Sequence, residues 1–160
     1  MDAEALSQTK TLIEKHEGRK NTAYVDTAGH PTIGIGFNLD RSDARQKIEA
    51  LGLNFDDVRA GTTSLSDAQV DALFDGDVQK AVADAQALVS NFDDLSAARQ
   101  AVVVDMVFNL GSAGFAKFHN TIAAIESGDW AGAAQQMLDS AWAKQVKGRA
   151  TEDANLMTNG

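Results

Sequence analysis

The chain has 160 residues, 14 of them Lys or Arg and 23 Asp or Glu, for a formal net charge of −9. Hydrophobic residues make up 44% and charged residues 23%, the balance of a soluble globular chain long enough to bury a core without disulfide or metal. The acidity argues against non-specific nucleic-acid binding and against electrostatic docking on anionic membranes, because both rest on Lys and Arg. With no cysteine, disulfide scaffolds and thiolate metal sites are excluded.

Residues 3–16 predict a helix with Leu6, Leu12 and Ile13 as a thin apolar stripe, and Gly18 can end it. The opening MDAEALSQTK has neither a basic nor an apolar leader region, so no secretory signal is expected. Residues 22–39 change character. Asp26, Gly29 and Pro31 form a turn between two short extended runs. In the second run Ile33, Ile35 and Phe37 alternate with Thr32, Gly34 and Gly36. Period two puts the large apolar groups on one strand face and leaves Thr32 and the glycines on a nearly bare one. Such a face lets another backbone or a ligand approach closely, and the same spacing fits a tight hairpin packed on a neighbouring helix equally well.

A short helix is expected over 41–51, then a polar loop, NFDDVRAGTTS. Ser66 and Gln69 fit a capping box, with Leu65 and Val70 placed as its hydrophobic staple. The helix after it carries the strongest helical period in the chain, from Val70 through Leu73, Phe74, Val78, Ala81, Val82 and Ala85 to Val89. At roughly 25 residues it would run about 37 Å, long enough to join two lobes. ARQAVVVDMVFNL is apolar nearly all round and reads as the centre of a helical lobe, ended by Gly111. Phe115, Phe118, Ile122 and Ile125 mark the next helix, and Trp130 to Ala141 another. No apolar run exceeds four residues, far short of the about 20 a membrane span needs.

The expected fold is α+β and mostly helical, one domain over 1–160. It has a small lobe with a β-hairpin over 17–65, a connecting helix over 66–90 and an all-α lobe over 91–160, to which the helix over 1–16 returns. The acidic excess is uneven, net −1 over 1–36, −7 over 37–98 and −1 over 99–160. It reads as a solvated helical middle.

Glu17 and Asp26 are the carboxylates of interest. A helix end, a loop and a hairpin can fold back so that both face one cleft. Glycosidic hydrolysis needs such a pair, one carboxyl to protonate the leaving oxygen and one carboxylate to handle water or the anomeric carbon. Spacing alone does not single them out among 23 acids. Other chemistries find no support. His16, His30 and His119 lack metal-ligand spacing and read as structural or solvated. Gly34-Ile35-Gly36 lacks the third glycine of a dinucleotide loop. The 54–63 loop lacks the oxygen ligands of a calcium loop, and there is no Gly-x-Ser-x-Gly elbow.

The segment HEGRKNTAYVDTAGHPTIGIGF resembles the catalytic segment of the lysozymes encoded by tailed bacteriophages. Glu17-Gly18, Asp26, Thr32 and Ile33-Gly34-Ile35-Gly36 fall at that family's spacing, with Tyr24 in place. SDAQVDALFDGDVQKAV, DMVFNLG, FHNTIAAIESGDWAGAA, Trp142 and Arg149-Ala150 continue the likeness over nearly the whole chain. The resemblance implies a glycoside hydrolase that cleaves the β-1,4 bond between N-acetylmuramic acid and N-acetylglucosamine in peptidoglycan, with inversion and without cofactor or metal. It implies Glu17 as general acid, Asp26 as the carboxylate that positions water, and Thr32 as a residue that helps hold that water. Asn38, Phe108, Thr121 and Gln136 match positions that line the family's saccharide cleft. Phe108 reads equally well as a core aromatic, and Thr121 and Gln136 as solvated residues. Arg149 is assigned a structural salt bridge or helix role in preference to direct catalysis. A monomer is expected, made in a host cytoplasm and acting on periplasmic peptidoglycan after release. An inactive peptidoglycan-binding module of the same fold is the alternative.

Overall fold

The computed structural model describes residues 1–160. It is 68% helical with one small antiparallel sheet, a lysozyme-like α+β fold. The elements are α1 (Ala3–Glu17), β1 (Lys20–Val25), β2 (Pro31–Gly34), β3 (Phe37–Asn38), α2 (Ala44–Ala50), α3 (Phe55–Ala60) and α4 (Asp67–Leu88), then a 3-10 turn (Phe92–Asp94), α5 (Ala97–Ala116), α6 (His119–Glu126), α7 (Trp130–Leu138), α8 (Ala141–Val146) and α9 (Gly148–Asn159). No single helix is long and apolar enough to cross a membrane. The chain divides into two compact units, Glu17–Asp77 and Met1–His16 with Val78–Gly160, and the divisions fall inside α1 and inside α4.

In the Glu17–Asp77 unit the sheet runs in the order β1-β2-β3. Ile33 pairs with Phe37, and Thr32 with both Tyr24 and Asn38. Of the two readings of 32–37, the tight hairpin packed on a neighbouring helix is the one that forms. Gly34 (φ 65) and Gly36 (φ 64) adopt the left-handed region that side chains resist, and the chain reverses at Ile35. Ile33, Ile35 and Phe37 are all buried as the alternation demands. Gly34 backs onto Val70 of α4.

The stretch expected as a polar loop contains α3. Asn54 caps it by accepting from Asp57 N–H, Asp56 and Asp57 sit in its first turn, and Phe55 and Val58 are buried. These are helix-start signals, and two buried anchors three residues apart supply the tertiary energy that a six-residue helix lacks by itself. The capping box forms in full. Gln69 N–H donates to Ser66 Oγ at 3.1 Å, and Ser66 N–H donates to Gln69 Oε1 at 2.9 Å. Leu65 and Val70 are buried beside it. Arg41 ties the unit together with a fork on Asp43 and a 2.9 Å bond to Asp77.

In the other unit, Gln100 through Val107 on α5 are all buried, which makes this helix the centre of the core. Gly111 (φ 75, ψ 164) leaves helical geometry, so α5 is two helical segments joined at a kink; the apolar one ends at Gly111 as expected, and Phe115 lies on the short segment that follows, before α6. Phe118 is the N-cap position of α6. Along α1 the buried face is Ala5, Thr9, Leu12 and Ile13, while Leu6 stays exposed. Trp142 is buried and its Nε1 donates to Asn109 Oδ1 at 2.8 Å.

Candidate active site

Glu17, Tyr24, Asp26, Thr32, Gly36 and Asn38 all belong to the Glu17–Asp77 unit. Glu17 is the last residue of α1, half-buried. Its carboxyl lies against the bare α-carbon of Gly36. A Cβ built on Gly36 would stand 2.7 Å from Glu17 Oε2 and 3.0 Å from Cδ. The hairpin therefore needs glycine there for two reasons, its backbone conformation and the space Glu17 fills.

Asp26 follows β1 and sets the next turn. Its N–H donates to His30 O, and its Oδ1 accepts from Ala28 N–H at 3.0 Å and His30 N–H at 2.8 Å. The two donors fix the carboxylate's orientation and leave Oδ2 outside that pair of bonds. Tyr24 lies within electrostatic reach of both acids. Burial pushes its phenol up, and the Glu17 charge, then the Asp26 charge, push it further. One half-buried ring thus feels both carboxylates.

Tyr24, Thr32 and Asn38 form one row across the three strands, directly paired and so on a common face. Thr32 is 4% exposed, and its hydroxyl donates to His30 O at 2.9 Å. With its proton committed, the hydroxyl keeps lone pairs for a donor such as water. Asn38 is half-buried and its Oδ1 accepts from Asp40 N–H at 2.8 Å. Phe108, Thr121 and Gln136 belong to the other unit. Phe108 is half-buried on α5, Thr121 is buried on α6, and Gln136 is exposed on α7. The solvated alternative therefore suits Gln136 and fails for Thr121.

His16 precedes Glu17 but belongs to that second unit, where it joins a polar cluster. Its Nδ1 meets Asp105 Oδ2 at 3.2 Å and its Nε2 meets Glu152 Oε2 at 2.9 Å. Burial pulls the imidazolium down, but Asp105 and Glu152 outweigh burial and hold it above the ordinary histidine value. Arg149 forks onto Asp105, Nη2 to Oδ1 at 2.7 Å and Nε to Oδ2 at 2.9 Å, the structural salt bridge expected of it. Sequence patterning missed this cluster. The signal for it was a lone Asp105 inside an apolar helix, since a buried charge demands partners.

A mostly helical α+β chain with one short antiparallel sheet, Glu17 closing α1 and Asp26 in the turn after β1, has a lysozyme-like fold. The chain belongs to the phage lysozyme family, whose profile matches residues 14–156. It is 27% identical to probable T4-type lysozyme 2 of Dictyostelium discoideum over 97% of this chain and 96% of that one. It is 26% identical to probable T4-type lysozyme 1 of the same organism over the same shares. It is also 28% identical to the pre-baseplate central spike protein Gp5 of Enterobacteria phage T4, over 93% of this chain but only 27% of that protein.

Proposed function

We propose that this protein hydrolyses the β-1,4 bond between N-acetylmuramic acid and N-acetylglucosamine in peptidoglycan. Glu17 donates the proton to the leaving glycosidic oxygen. Asp26 accepts a proton from the attacking water, and Thr32 holds that water by accepting its second hydrogen. Bond cleavage and water attack on opposite faces of the ring give an inverted product. Asn38 hydrogen-bonds the sugar, and Thr121, buried on α6, is not among the saccharide contacts.

The observation that carries this reading is the packing of the Glu17 carboxyl on Gly36, in the hairpin whose strand also bears Thr32. That packing orients a helix-end acid toward one sheet face, where positioning is worth most to catalysis. Family membership supports the same chemistry. Purified protein is added to permeabilised Gram-negative cells and to isolated walls, beside Glu17→Gln and Asp26→Asn. Wild type is expected to clear both, and each variant to lose at least about 100-fold, the usual loss for an acid or base. Wall binding without clearing by wild type would favour a binding module. Clearing that survives Glu17→Gln would remove Glu17 as the acid.

A further inference from the structure

The cluster around His16 is built from three helices of one unit and takes no part in the hydrolysis proposed above. Asp105 comes from α5, and Arg149, Glu152 and Asp153 come from α9. Asp105 and Asp153 are both 0% exposed. With two buried carboxylates and the single guanidinium of Arg149, the interior needs either a proton on one carboxyl or a further cation. Asp153 makes that choice concrete, because neither of its oxygens accepts a hydrogen bond from a donor of the chain, and only a proton shared with Asp105 or a bound cation can satisfy it. A buried acceptor without a donor is costly, and a native chain keeps one where something else fills the role.

The donor set that surrounds this orphan is a ligand set. One atom each from His16, Asp105 and Asp153 can be chosen so that all lie within 4.8 Å of one another. His16 Nδ1 and Asp105 Oδ2 are 3.2 Å apart, close to the roughly 3.3 Å edge between two ligands of a tetrahedral zinc bound at about 2.0 Å. Behind the imidazole, Nε2 is held by Glu152 at 2.9 Å, and Lys15 holds the other Glu152 oxygen at 2.7 Å. A carboxylate on the far nitrogen fixes the tautomer that presents Nδ1 as a donor to metal. Arg149 orients Asp105 without consuming it, since each carboxylate oxygen has two lone pairs.

We propose that His16, Asp105 and Asp153 bind one divalent cation of the zinc class. One nitrogen and two carboxylates suit zinc or cobalt better than calcium, which takes six to eight oxygens. The cation pins α1, α5 and α9 together, so its role is structural. It stands independently of the glycosidase reading, because none of the three ligands serves there.

The test uses the full chain, stripped with EDTA, then titrated with Zn²⁺ by calorimetry and with Co²⁺ by visible absorption. One equivalent is expected to bind, with tetrahedral cobalt bands and a raised Tm. Asp153→Asn is expected to weaken Zn²⁺ binding at least 10-fold. Glu152→Gln, on the partly exposed second carboxylate, should weaken it about 10- to 100-fold while leaving all three ligands in place. His30→Ala and His119→Ala should bind as wild type. Absent or non-stoichiometric binding by wild type overturns the proposal, as does unchanged affinity in Asp153→Asn or Glu152→Gln. Either result means the cluster holds a proton and no metal.

Discussion

Replacing Gly36 with alanine separates the backbone role of this glycine from its role beside Glu17. The added Cβ would lie 2.7 Å from Glu17 Oε2, 3.0 Å from Cδ and 3.2 Å from Cγ. Ordinary contact is about 3.5 Å, so the carboxyl must retreat by roughly 0.8 Å. The obstructed atoms are the far end of a flexible side chain, and the fold itself yields little. Alanine at φ 64 adds about 1–2 kcal/mol of left-handed strain. Gly34→Ala provides the matched control. It has the same backbone conformation, φ 65, but its Cβ meets only Val70, at an ordinary 3.6 Å. Both variants should therefore lose about 1–2 kcal/mol in urea melts. Only Gly36→Ala should lose wall-clearing rate, by up to about 100-fold, because displacing a catalytic group by about an ångström costs that much. Equal activity in the two variants would refute the argument that Gly36 seats the acid.

Ser66→Ala removes one half of the capping box on α4 and should cost about 1 kcal/mol in chemical denaturation, with wall clearing unchanged at a temperature where the variant is folded. In metal-free protein, burial and the Asp105 charge push the Asp153 carboxyl up to about 10. A raised acid contributes stability in full below the unfolded value near 4 and loses it as pH climbs toward the folded value. Asp153→Asn should therefore match wild type near pH 4 and exceed it increasingly above that, by at most about 1.4 kcal/mol per pH unit, in EDTA-treated thermal melts. The net charge of −9 opposes approach to an anionic wall, and salt screens that repulsion over about 10 Å at 0.1 M. Clearing should rise from low to moderate ionic strength, and a monotonic fall would contradict this.

The parts of the molecule written in local signals were legible before any coordinates. The Ser66–Gln69 box, the staple at Leu65 and Val70, and the all-buried run on α5 rest on one-turn spacing and patterning, and each forms. Glu17 at a helix end and Asp26 at a turn were legible for the same reason. Less visible was whatever depends on backbone handedness or on distant partners. Alternation of Ile33, Ile35 and Phe37 is satisfied equally by a straight strand and by a hairpin that buries all three, and only the positive φ of two glycines decides. The six residues of α3 are too few to show a period, and polar Asp56 and Asp57 masked a helix start as a loop. Leu6 looked like core, yet the face of α1 that finds a partner runs through Thr9, whose hydroxyl is satisfied by Ala5 O at 2.8 Å. His16, Asp105 and Asp153 are separated by scores of residues, so no spacing rule brings them together.

The central claim is that Glu17 drives cleavage of a glycan strand, and the products of that cleavage test it most directly. Purified peptidoglycan is digested with wild type and with Glu17→Gln, and the new reducing ends are identified and followed by NMR as they form. The account predicts N-acetylmuramic acid ends released by wild type in the inverted anomer, and none above background from Glu17→Gln. Release of peptide fragments without reducing ends, or undiminished release by Glu17→Gln, would contradict it.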